Sequence, residues 1–144
     1  MIEPDTIKLL RECDSGVKMG IVSIHDVLDN VKSPELQSLL EECKTKHEKL
    51  ESEIRDYLNE YHDEGKDPSP IAKGMSWVKT NVRLTVNESD GTIADLMTDG
   101  CNMGVKSLNQ YLNQYGAADE RSKDITKRLI KIEEKLSDAM HDYL

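Results

Sequence analysis

Cys13-Asp14-Ser15-Gly16-Val17-Lys18 recurs as Cys101-Asn102-Met103-Gly104-Val105-Lys106, 88 residues further on. Glu48-Lys49-Leu50 and Asp56-Tyr57-Leu58 recur as Glu134-Lys135-Leu136 and Asp142-Tyr143-Leu144, 86 residues further on. Each half therefore reads as a helix carrying Cys-x-x-Gly-Val-Lys, a short turn, and a second helix closing on Asp-Tyr-Leu. One helical hairpin cannot bury its own apolar stripes, but two placed face to face can. The repeat predicts an all-α four-helix bundle with an approximate internal two-fold, in a single domain over 1–144. It also supplies a test for function, because a site built symmetrically on the bundle axis leaves matching residues in both copies.

Working outward, helix one is expected from about Pro4 to Val31, with Pro4 in the first turn, where its missing N–H costs nothing. Its stripe, Ile7, Leu10, Val17, Ile21, Ile24, Leu28 and Val31, recurs at threes and fours and holds one charged member, Asp14. Ser33 is the expected N-cap of helix two, followed by Pro34 and Glu35. Leu36, Leu40, Cys43, His47, Leu50, Ile54, Tyr57 and Tyr61 form its seam, which fades into a turn-rich stretch from His62 to Pro68. Helix three is expected near Thr92, capped by Asp90 or Thr92 with Gly91 as breaker, and ending at Tyr115 with Gly116 in a left-handed cap. Its stripe is Ile93, Leu96, Met97, Cys101, Val105, Leu108 and Leu112. Asp119 opens helix four, with Ile125, Leu129, Ile132, Leu136, Met140 and Tyr143 inward to the last residue.

Hairpin one thus covers about 4–62 and hairpin two about 92–144. The crossover between them, about 63–91, is far longer than an adjacent-helix turn and suits a connection between opposite bundle ends. Ile71, Met75, Val78, Val82 and Leu84 suggest a short helix within it, and Trp77 reads as its packing anchor, with a ligand platform as the alternative. Gly16, Gly20 and Gly104 lie inside helices, where each costs about 1 kcal/mol relative to Ala. Because Gly16 and Gly104 are repeat equivalents, helices one and three are expected to touch there. The alternative is glycine clearing room for a ligand.

Composition narrows the function. The chain is 37% apolar and 33% charged, with no Phe and one Trp, which suits amphipathic helices around an aliphatic core. A formal charge of −9 disfavours nucleic acid and anionic membrane surfaces. No apolar run approaches the roughly 20 residues of a membrane span. The N-terminus lacks a signal-peptide layout, and three cysteines without Cys-x-x-Cys spacing give no disulfide framework, so a cytoplasmic setting is expected. Cys13 and Cys101 are repeat equivalents. They read as buried hydrophobes, or as a redox or soft-metal pair should their helices meet at the glycines.

The Cys13-x-x-Gly16 opening, the turn at Lys32-Ser33-Pro34-Glu35-Leu36 and the charged helix ending in Asp56-Tyr57-Leu58 carry a resemblance. On these motifs the chain resembles the ferritin-like superfamily, and within it a family of small bacterial ferritin-like bundles whose function is not known. The resemblance implies a ferritin-like four-helix bundle. Its metal-binding members place Glu on two helices and Glu-x-x-His on the other two. Here the residue three before His25 is Val22, before His47 Lys44, before His62 Asn59, and before His141 Asp138. Only Asp138-x-x-His141 approaches the pattern, and its repeat partners are Ser52 and Arg55, so a standard di-iron set is absent from the sequence. Asp138 and His141 read as a solvated helix end, and His25 and His62 as surface or boundary residues.

A weaker candidate joins two repeat pairs. Asp14 and Asn102 are equivalents on inward positions of helices one and three. His47 and Glu133 are equivalents on helices two and four, with Glu51 one turn beyond His47. Asp14, His47, Glu51 and Glu133 are therefore the candidate metal residues, for iron or another divalent transition metal. The alternative is that they pair with Lys18, Lys106 or each other to satisfy buried polarity. No Walker loop, dinucleotide fingerprint or Ser–His–acid constellation occurs. The expected function is a non-catalytic structural or protein-interaction bundle with no cofactor, forming a homodimer through surplus Tyr61, Tyr111, Tyr115 and Trp77. The alternative is a divergent metal-storage protein or oxidase.

Overall fold

The computed structural model describes residues 3–68 and 89–144, all of whose regular elements are helices. They are α1 (Pro4–Leu28), α2 (Pro34–Glu60), α3 (Asp90–Gln114) and α4 (Glu120–Met140), with a closing 3-10 turn, His141–Tyr143. Trp77 and the expected crossover helix lie outside the described residues.

The caps explain the boundaries. Ser33 Oγ accepts from Leu36 N–H at 3.3 Å and Asp119 Oδ1 accepts from Ser122 N–H at 2.8 Å. These N-caps of α2 and α4 are 86 residues apart, the offset of the sequence repeat. α3 differs from expectation. Ser89 is its N-cap, taking Thr92 N–H at 3.1 Å, and Gly91 lies within the first turn. Asp90 instead receives the backbone N–H groups of Lys32 and Ser33 at 2.8 and 2.9 Å. Gly116 is not left-handed. The positive φ values fall at His62 (55°) and Gly65 (82°), just beyond α2. α1 stops at Leu28, short of Val31, and α4 stops at Met140, before the last residue.

These tethers set the path of the chain. Arg11 donates to Asp63 at 3.0–3.1 Å through Nε, placing the end of α2 beside the start of α1. Asp119 N–H reaches Thr6 Oγ1 at 2.9 Å and Ala117 N–H reaches Asp5 at 3.1 Å, placing the α3–α4 turn at that same end. Asp90 ties the start of α3 to the opposite end. Hence α1 and α4 run one way and α2 and α3 the other, and the connection after α2 joins opposite ends. α1 packs chiefly on α2 and α4 chiefly on α3, while α4 also touches α2 and α1, and α1 touches α3.

The apolar core comes in two layers. One gathers Ile24, Leu36, Leu40, Ile93, Met97 and Met140; the other gathers Leu10, Val17, Leu50, Ile54, Leu108 and Leu129. Along α1 the gap between the layers is centred on Gly20, along α2 on His47, along α3 on Gly104, and along α4 on Glu133. Thus a polar and glycine-rich level divides the core at mid-height.

Asp119 does double duty at one end, since it also accepts the Tyr57 hydroxyl. Arg121 lies 3.9 Å above the same Tyr57 ring. Asp119→Ala therefore removes a cap and orphans a part-buried hydroxyl, and urea unfolding should show a loss of about 1–2 kcal/mol.

Candidate functional site

His47 is fully buried and faces Glu133, which is 9% exposed. Nδ1–H donates to the Cys43 carbonyl, four residues back on α2, at 2.8 Å. That bond leaves Nε2 facing α4, where it meets Glu133 Oε1 at 2.8 Å. Burial disfavours the imidazolium, but the hydrogen bonds to Cys43 and Glu133 and the Glu133 charge outweigh it, lifting His47 to about 10. At neutral pH His47 is therefore an imidazolium held against Glu133.

Gly20 makes this possible. A Cβ on Gly20 would sit 2.7 Å from His47 Cδ2 and Nε2, closer than side chains tolerate. The interior glycine of α1 is therefore the recess that receives the ring. Gly16 and Gly104 are different. Among the described residues a Cβ there would meet Leu129 at 3.8 Å, or Glu133 at 3.9 Å, which are ordinary contacts. Both of these nearest neighbours belong to α4, so the expected seating of α1 on α3 through Gly16 and Gly104 is not what the geometry gives. The two glycines instead line a cleft of about 240 Å³ between α1 and α3. Its floor holds Leu129, Glu133 and Leu136 of α4, with His47 beyond, and its walls include Ser23, Met97 and Leu108.

The four candidate metal residues do not come together. His47 and Glu133 meet. Asp14 is buried elsewhere, accepting from Lys18 Nζ at 2.8 Å and from Lys66 N–H at 3.0 Å. Glu51, part-buried, accepts instead from Arg55 at 2.6 Å. Asn102, expected inward, is exposed and takes the Ser137 hydroxyl at 3.2 Å. Among the described residues no three of His, Cys, Asp and Glu converge as a metal site requires. As placed, the candidate set supplies two ligands at most at one point, which does not fit the quartet of a di-iron centre.

The cysteines part company as well. Cys13 lies in one core layer, 3.1 Å from Thr126 Oγ1, and burial pushes its thiol up to about 12 despite that bond. Cys101 lies in the other layer with Cys43. Burial, then the charge of Glu133 and a hydrogen bond to it, push the Cys101 thiol up also. The expected meeting of Cys13 and Cys101 does not occur, and both are protonated, buried groups. His25, His62, Asp138 and His141 are exposed, as read from the sequence.

Ser23, Ser122 and Thr126 are buried polar residues that the stripes did not reveal. Ser122 and Thr126 each donate to the carbonyl three or four residues earlier. Such back-bonding hides hydroxyls on an apolar face without a pattern signal. Ser23 differs: its Oγ is buried with no hydrogen-bond partner among the described residues. No protein-family model, curated protein or solved structure matches this chain.

Proposed function

We propose that this chain is a ferritin-like bundle serving as a non-catalytic structural or protein-interaction protein, without a standard di-iron site. The observation that carries the reading is the His47–Glu133 pair at mid-height. Acid and imidazole neutralise each other there, and the facing positions of α1 and α3 are Gly20 and Gly104, which offer no ligand. The antiparallel pairing of α1 with α2 and of α3 with α4, with parallel diagonals, supports the ferritin-like part. No helix among the described residues is long and apolar enough to cross a membrane.

The test is elemental analysis of protein purified without chelator, followed by addition of Fe(II) in air. The expected result is no stoichiometric transition metal, no Fe(II) oxidation faster than buffer, and no rise in melting temperature. Stoichiometric iron, or oxidation that disappears in Glu133→Gln, favours the metal-storage or oxidase reading instead. A homodimer is part of the proposal, supported by exposed Tyr61 and Met103, which are 38% and 51% accessible. Light scattering at high micromolar concentration should give twice the chain mass, and a monomer there rejects that part.

A further inference from the structure

We propose that the cleft between α1 and α3 binds a small, uncharged, mainly apolar molecule bearing one hydroxyl group, of the phenol or medium-chain alcohol class. Three observations lead there. The first is that glycine at 16 and 104 is not needed for contact between the described helices, since a methyl at either place would sit at 3.8–3.9 Å from its nearest described neighbour. What those glycines supply is space, and the cleft they line measures about 240 Å³.

The second is Ser23 Oγ. Ser23 lines this cleft, is 5% exposed, and its hydroxyl has no partner among the described residues. A buried hydroxyl without a partner is rare in folded proteins and points to a group that supplies the missing bond. The third is the floor. Glu133 Oε1 is held by His47, while Oε2 is the oxygen that faces the Gly104 side of the cleft. A ligand hydroxyl can accept from Ser23 and donate to Glu133, which neither an alkane nor a carboxylate can do. Because His47 already balances the Glu133 charge, the site does not ask for a cation. Most of the remaining lining is apolar, from Ile24, Met97, Leu108, Leu129 and Leu136, with polar groups of Glu12, Ser15, Ser107 and Tyr111 also on its walls. A dry cavity of about 150 Å³ accepts benzene, so this cleft has room for an alkylated phenol.

This inference does not depend on the absence of a metal centre, and its test is separate. Full-length protein is titrated with 4-ethylphenol, ethylbenzene and 4-ethylbenzoate by calorimetry and saturation-transfer NMR. The expected order is 4-ethylphenol tightest, ethylbenzene about tenfold weaker for want of the hydrogen bonds, and no binding of the benzoate. Gly16→Ala/Gly104→Ala should melt higher, by roughly 3 °C or more, since Ala is the better helix former. It should nonetheless bind 4-ethylphenol at least about tenfold more weakly, because the added methyls occupy the cleft. Ser23→Ala should narrow the gap between 4-ethylphenol and ethylbenzene. No saturable binding of any probe by the natural protein overturns the proposal. So does equal binding by the glycine double variant, or by Ser23→Ala if that double variant does not fold, and so does a benzoate that binds as well as the phenol.

Discussion

Glu133→Leu and His47→Leu each lower stability by about 3–5 kcal/mol, and the double variant loses much less than their sum. Removing Glu133 leaves a fully buried imidazole whose Nε2 faces no acceptor, and also removes the group that faces the Cys101 thiol. Removing His47 leaves a carboxylate at mid-core with its counter-charge gone. Replacing both removes the need for charge balance and fills the level with carbon, so a double-mutant cycle measured by urea unfolding should show strong coupling. The same pair sets a pH dependence. His47 is raised from 6.5 to about 10, so its contribution is complete below pH 6.5 and is lost as pH rises towards 10. Over that window the stability gap between the natural protein and His47→Leu should narrow by about 1.4 kcal/mol per pH unit. A gap that stays constant from pH 6 to 10 means that His47 is neutral in the fold.

Gly20→Ala lowers stability by about 2–3 kcal/mol, whereas Gly16→Ala, one turn away, raises it by up to about 1 kcal/mol. The opposite signs follow from what each added methyl meets. At Gly20 it meets the His47 ring at 2.7 Å, and that ring is pinned on one side by the Cys43 carbonyl and on the other by Glu133. Relief requires α1 to move away from α2 or the pair to break. At Gly16 it meets the end of a leucine at 3.8 Å, so only the helix-propensity gain is felt. Combining Gly20→Ala with His47→Ala should cost less than the two losses added, because the second change vacates the space the first one needs. Denaturant midpoints of the four proteins check this directly.

Much of this architecture was legible in the residue string because it rests on local rules. Stripes at threes and fours, Pro4 and Pro34 in first turns, and Ser33 and Asp119 as caps act over one or two turns, and they appear as expected except at the frayed ends, where Val31 and the exposed Tyr61 lie beyond their helices. The misreadings share a cause. The sequence offers Asp90 or Thr92 as the cap of α3, yet Asp90 is already the first helical residue and its carboxylate is used 57–58 residues away on Lys32 and Ser33, leaving Ser89 at the cap position. Ile132 packs against both core layers as expected, but its neighbour Glu133, which the seam omits, is the more deeply buried of the two. Hydrophobicity predicts burial one residue at a time, whereas Glu133 is buried because a particular histidine on another helix receives it.

The candidate site divides along the same line. That His47 and Glu133 are equivalent positions followed from the repeat offset, and they do meet. That Asp14 and Glu51 stay apart from them could not be read, because Lys18, Lys66 and Arg55 compete for those carboxylates at positions set by packing. Three interior glycines looked alike in the string, yet one seats a histidine and two border a cleft. Helical periodicity, turns and repeat length are encoded within a few residues, so the amino-acid order suffices for an all-helical bundle. Which buried groups face each other depends on how four helices settle against one another, and at distances near 3 Å that settling decides between a salt bridge, a clash and an open space.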